Sequence, residues 1–194
     1  MRNLLFGIMM LLAQPAFAGP QAEYNRLQEE ATKLAARNAW KGVDRVYVQL
    51  TVLAEKGIPL SYSDHMMGAT ASKSLGSVND TWTRVTAANE MDPTIQSFEM
   101  LAVIFANYGP VSLRIKKNWE GDTELVAKDL GFNPEQQRVV QQARKDLEEE
   151  RNYAGLLPLG RYVLGDKKFD IVGGPLVEVL LKKEPKYVLP ESGN

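Results

Sequence analysis

The hydrophobic period of the chain changes at Tyr108-Gly109-Pro110, and that change decides what it can build. Before this point apolar residues recur at steps of three and four. After it, Val111, Leu113 and Ile115 alternate with Ser112, Arg114 and Lys116. The first spacing buries one face of a helix, and the second buries one face of a strand. A helical half followed by a strand-rich half predicts an α+β fold with its two kinds of element segregated along the chain.

In the helical half, Tyr24, Leu27, Ala31, Leu34 and Ala35 share a face over residues 21–37. After a break at Asn38-Ala39-Trp40, Val43, Val46, Tyr47, Leu50 and Leu53 define a second helix, which Gly57-Ile58-Pro59 ends. Proline lacks the amide a helix needs and biases its predecessor away from helical angles. The two helices form a hairpin with a tight turn. A third helix over 62–75 is rich in small residues from Gly68 to Ser72, which lets a neighbour approach closely, and Gly76 breaks it. Val78, Thr81, Trp82, Val85 and Ala88 mark a fourth, ending at Asp92-Pro93. A fifth runs from about Thr94 to Asn107, with Ile95, Phe98, Leu101, Ala102 and Phe105 predicted inward. Trp40 and Trp82 fall in helical register and read as packing residues.

Beyond Pro110, Glu124–Val126 predicts a short strand and Asn133-Pro134 opens a helix over 134–150. Asparagine caps, proline suits the first turn, and Glu135 complements the helix dipole. Val139, Val140, Ala143 and Leu147 form the stripe, with Gly155 beyond the end. Strands are predicted around Arg161–Leu164 and Lys168–Val172, joined through Gly165-Asp166, and a last one over Leu176–Leu181. Gly173-Gly174-Pro175 lacks the Lys-Ser/Thr of a phosphate loop and reads as a turn. The tail over 185–194 is predicted to be flexible.

Two family resemblances rest on these residues. Leu27, Ala31, Leu34, Trp40, Val43 and Tyr47 align with His65, Ala69, Ser72, Val78, Thr81 and Val85 at a constant offset of 38 residues. Together with Gly76, Ala88 and Pro93 the pattern over 22–95 resembles the tetratricopeptide repeat, although its spacing exceeds the family's 34 and Val43 stands where a small residue is usual. The run Leu157-Pro158-Leu159-Gly160-Arg161-Tyr162, followed by Phe169-Asp170-Ile171, resembles a carboxypeptidase regulatory-like or PEGA-type β-sandwich module. In such modules a Pro-x-Gly turn feeds a strand with an inward Tyr. That likeness covers 109–183, and the helix 134–150 departs from it. The combination resembles secreted bacterial envelope proteins. It implies a helical domain over 19–108 and a small β-sandwich-like module over 109–184, with helix 134–150 inserted. It also implies a concave, partner-binding surface made by the first helix of each pair: Asn25, Gln28, Thr32 and Ala36 from one, and Ser63, Met66, Thr70 and Lys73 from the other. Small polar side chains with one pliable methionine suit adaptable peptide contacts.

Location is read from the first eighteen residues. Arg2, the apolar run Leu4–Leu12 and Ala16-Phe17-Ala18 have the form of a secretory signal, with a run too short to remain as a membrane anchor. The expected product is periplasmic or secreted, with no membrane span after cleavage. A formal charge of −1 gives no basic field for nucleic acid. With no cysteine, disulfides, thiolate zinc sites, cysteine nucleophiles and the usual bacterial lipid attachment are all excluded.

The sequence names no chemistry. His65 is the one histidine and has no nucleophile or metal-ligand motif beside it. Asp146 and Glu148–Glu150 read as a solvated charge run, and Asp64, Asp80 and Asp92 have no calcium-loop spacing. No catalytic residue, metal site or cofactor is predicted. The expected function is that of an exported, non-enzymatic adaptor that binds another envelope protein or peptide. The alternative is a peptidoglycan-binding module in which Trp119, in the polar loop Lys116–Asp122, stacks on a sugar ring.

Overall fold

The computed structural model describes residues 19–183, so the predicted leader over 1–18 and the predicted tail over 185–194 lie outside the described residues. Five helices come first: α1 (Pro20–Ala35), α2 (Trp40–Glu55), α3 (Tyr62–Ser74), α4 (Val78–Met91) and α5 (Ile95–Phe105). They are followed by β1 (Tyr108–Ile115), β2 (Leu125–Ala127), α6 (Pro134–Glu150), β3 (Asn152–Pro158), β4 (Gly160–Leu164), β5 (Lys167–Ile171) and β6 (Val177–Leu181). The fold is mixed α+β, with the sheets confined to the C-terminal part.

Local chemistry sets the helix ends. Ser61 caps α3 by accepting from the Asp64 amide at 3.2 Å, and the Asp64 carboxylate accepts from the Ser61 amide at 2.8 Å. This reciprocal box satisfies two amides that the first turn leaves over. Thr94 and Ser97 repeat it at α5, and Asn133 accepts from the Glu135 and Gln136 amides at α6. α6 stops sooner than Gly155. Arg151 takes a left-handed conformation, φ 57°, and closes the helix. Gly155 instead lies inside β3, where a Cβ would sit 2.8 Å from the Tyr153 hydroxyl.

α5 follows the prediction only in part: Leu101 and Phe105 pack against the main core, while three of the five residues expected inside do not. Ile95 and Phe98, expected inside, are 79 % and 55 % exposed, and Ala102 is also exposed. The buried positions are Ser97 and Ile104. Eight of the eleven residues of this helix are apolar, too many for one face, so spacing alone does not fix its rotation. A polar contact marks it: the Ser97 hydroxyl donates to the Asn89 side chain at 2.8 Å, facing that side toward α4.

β1 is the centre of one sheet, antiparallel to β3 (Val111 opposite Gly155) and parallel to β6 (Val111 opposite Val177). β4 is the centre of the other, antiparallel to β2 and β5. Residues 156–171 therefore serve both sheets. The first of them finish β3 in one sheet, the chain crosses at Leu159-Gly160, and β4 and β5 make a hairpin in the other. Gly160 has φ 144°, which a side chain would oppose. Tyr162 points inward, and its hydroxyl donates to the Pro158 carbonyl at 2.9 Å.

The main core joins both halves. Ala69, Val85 and Ala88 share one cluster with Leu113, Leu125, Leu147, Leu156, Leu164 and Leu181. A second cluster lies between α1 and α2, around Leu27, Val46, Tyr47 and Leu50. α4 also touches β3 through Asn79, which accepts from the Leu156 amide at 2.7 Å and donates to the Tyr153 hydroxyl at 3.1 Å. β3 is an edge strand, so this side chain covers an amide that the ladder leaves open.

Candidate functional site

The predicted groove has its centre at Asp64. This carboxylate, 5 % exposed, belongs to α3 but draws on α1: Tyr24 donates to it at 2.5 Å and Gln28 at 3.0 Å, while the Ser61 hydroxyl donates at 2.6 Å. Burial pushes its carboxyl up, but the hydrogen bonds from Ser61, Tyr24 and Gln28 outweigh burial and hold it below the usual carboxylate range. Both oxygens are engaged, so Asp64 ties two helices together and is not a free base.

Above this network lies an open concavity between α1 and α3, lined by Asn25, Gln28, Thr32, Ser63, Asp64 and Met67 among others. Four predicted residues thus meet: Asn25, Gln28, Thr32 and Ser63. Three do not. Met66 is 6 % exposed and packs in the main core, and its neighbour Met67 is the methionine that reaches the concavity. A step of four from Ser63, rather than three, stays on the outward face. Thr70 is half-buried and donates to the Met66 carbonyl at 2.8 Å. Lys73 lines a different cavity, beside the α3–α4 turn. Glu29 and Lys33 form an exposed pair at the concavity's rim, 3.5 Å apart.

A second polar cluster, unread in the sequence, braces α2, α3 and α4. Arg84, 7 % exposed, meets Asp44 at 2.6 Å, donates to the Gly68 carbonyl at 2.9 Å and lies 4.2 Å above the Tyr47 ring centre. Gly68 makes the approach possible, since a Cβ there would fall 2.4 Å from the Tyr47 ring. The Tyr47 hydroxyl meets His65 Nδ1 at 3.0 Å. Burial lowers the His65 pKa, against the opposing pull of Asp64. The small-residue run was legible as a close-packing signal; the arginine that exploits it carries no sequence signature.

Trp119 is half-buried, with its indole N–H donating to the Asp122 carbonyl at 2.9 Å and its ring beside Gly121 and Gly165. It holds its own loop against the main core. Among the described residues, no three His, Asp or Glu side chains are placed to hold a metal ion, and no helix is long and apolar enough to cross a membrane. No protein-family model, curated protein or solved structure matches this chain.

Proposed function

We propose that the chain is an exported, non-enzymatic adaptor that holds a peptide or extended segment of another envelope protein in the concavity between α1 and α3. The observation that carries this reading is the convergence of Asn25, Gln28, Thr32 and Ser63, from two helices, on one open polar surface with a rigid floor. The Asp64 network fixes that floor, so little ordering is needed on binding. The surface is shallow and open, which suits an extended chain better than a small substrate. The secretory form of the first eighteen residues supports the location, and the likeness to helical repeats supports the mode of binding. The half-buried, internally bonded Trp119 offers less to a sugar ring than a free indole face would, so the adaptor reading is preferred.

A photo-reactive residue at Thr32 tests it in cells, with one at exposed Lys145 on α6 as control. The expected result is one discrete adduct from Thr32, absent from Lys145 and abolished by Ser63→Trp. Equal labelling from both positions, or labelling indifferent to Ser63→Trp, would refute the groove.

A further inference from the structure

The sheet built on β1 has two edges, and they differ. On β3, Asn79 covers the Leu156 amide. On β6, no backbone hydrogen bond among the described residues reaches the side turned away from β1. The Leu181 carbonyl accepts from the Lys116 amide at 2.9 Å, so residue 181 turns its backbone polar groups toward β1. That direction alternates along a strand, which turns the N–H and C=O of Glu178 and Leu180 to the open side. Proteins blunt such edges with prolines, bulges or inward charges. β6 has none of these: its pairing with β1 is regular, and its inward side chains, Val179 and Leu181, are apolar and buried.

The outward side chains of this strand carry a pattern. Glu178 and Leu180 are exposed, and the same alternation places exposed Lys182 on their face. Laid antiparallel on a second copy about Leu180, the order Glu-Leu-Lys matches itself. Glu178 falls opposite Lys182, Leu180 opposite Leu180, and Lys182 opposite Glu178. A shift by one residue would oppose backbone groups that face outward to groups that face inward, and a shift by two would set Leu180 against a charge. The surrounding charges agree with this register. Arg114 reaches Glu178 only at 3.9 Å, in an exposed pair that leaves the carboxylate room for a second cation. Lys182 stands with Lys116 and Lys117 and is in no ion pair among the described residues, whereas Lys183 is held by Glu120. One copy thus leaves a basic group at the end of β6 that the Glu178 of a second copy answers.

We propose that β6 is the interface of a two-fold dimer. Two copies join antiparallel along their β6 edges, so that the three-stranded sheet of each becomes half of one continuous sheet. Around the axis, Glu178, Leu180 and Lys182 of each copy exchange backbone hydrogen bonds with Lys182, Leu180 and Glu178 of the other. The two Leu180 side chains cover each other, and a Glu178–Lys182 pair flanks them on either side. A strand from an unrelated protein would also satisfy the open edge, but it would not require the order of charges to match itself. That self-matching order is what selects a second copy as the occupant.

Sedimentation equilibrium tests this on the full chain, expressed with its first eighteen residues and purified as the cell delivers it. The chain is expected to dimerise reversibly, with a dissociation constant on the order of micromolar, because one short strand per copy makes a small interface. Glu178→Lys and Lys182→Glu each set like charges opposite one another at both flanks, and each should weaken the dimer about tenfold or more. Mixing the two variants should restore it, because in the mixed pair every lysine meets a glutamate. The double variant should dimerise by itself. Both side chains are exposed, so circular dichroism melts should show each variant folded. A natural chain that stays monomeric at millimolar concentration would overturn the proposal, and would leave the edge to a strand of another protein or to the chain's own last residues. So would a dimer indifferent to either charge reversal, or one that mixing fails to restore. Neither outcome touches the α1/α3 groove, because labelling from Thr32 is measured separately.

Discussion

Replacing Gly68 by alanine should destabilise the protein, although alanine is the better helix former. In an open helix the change contributes about 1 kcal/mol of stability. Here the new methyl would meet the Tyr47 ring at 2.4 Å and 2.8 Å, and the ring has little room to yield. It is held from above by Arg84 at 4.2 Å and at its tip by His65 at 3.0 Å. Overpacking of this kind costs about 1–3 kcal/mol. Displacing the ring also weakens a partly desolvated cation–π contact, worth roughly 0.5–2 kcal/mol, and a hydrogen bond worth about 1 kcal/mol. The net expectation is a loss of about 1–3 kcal/mol, read by urea unfolding followed at 222 nm.

The sign should reverse when the obstacle is removed. Tyr47→Ala alone should cost about 3–5 kcal/mol, as large aromatic truncations do. In that background Gly68→Ala should become neutral or stabilising by up to about 1 kcal/mol, which gives a coupling of about 1–4 kcal/mol between the two sites. If Gly68→Ala has the same cost with and without Tyr47, the steric account is wrong. A neutral Gly68→Ala in the natural sequence would refute it equally.

Asn79→Ala should lower the melting temperature by several degrees. It leaves the fully buried Leu156 amide without an acceptor, at about 1–3 kcal/mol, and each kcal/mol moves the midpoint of a chain this size by about 2–4 °C. The loss should be less than additive with Tyr153→Phe, which removes the other end of the same contact. Stability should also rise with pH on the acid side of the ordinary histidine value of 6.5 and level off above it. Burial depresses the His65 pKa below 6.5, so the unfolded chain binds a proton there that the folded one does not. The contribution is fully present above the unfolded value and is lost as pH falls through the folded one. His65→Gln should flatten the slope, and as the one histidine in the chain it leaves no other to replace it.

Sequence spacing carried far in this chain where one face is apolar and the other is not. Val43, Val46, Tyr47, Leu50 and Leu53 were predicted inward on α2, and all are buried. The 134–150 helix starts at its asparagine cap and proline, because those residues act on the nearest amides. The misreadings have physical causes. α5 has more apolar residues than one face can hold, so packing of Ile104 and the hydrogen bond from Ser97, which spacing does not show, mark the face that turns in. β3 follows α6 after the single left-handed residue Arg151, a conformation that an arginine in a charged run does not advertise. Four of the eight residues predicted for a concave surface line one concavity between α1 and α3. Met66 was misplaced because residues three and four apart share a helix face and only packing separates them. The cavity beside the α3–α4 turn was invisible, since residues far apart in the chain meet only once the two halves dock.

The pairing of β6 with β1 sets an order in time. α1 to α4 meet neighbours close by in the chain, so their contacts close short loops and form fast. β1 is flanked by β3 and by β6, the last described strand, and Leu181 at its end is fully buried beside Ile115. That pairing closes a loop spanning the whole β half, which costs chain entropy before any contact offsets it. As the chain is made or delivered from its N-terminus, β1 must wait with an open edge until its final strand arrives. The helical half is then the part that folds early, and the closing strand decides when the molecule is finished.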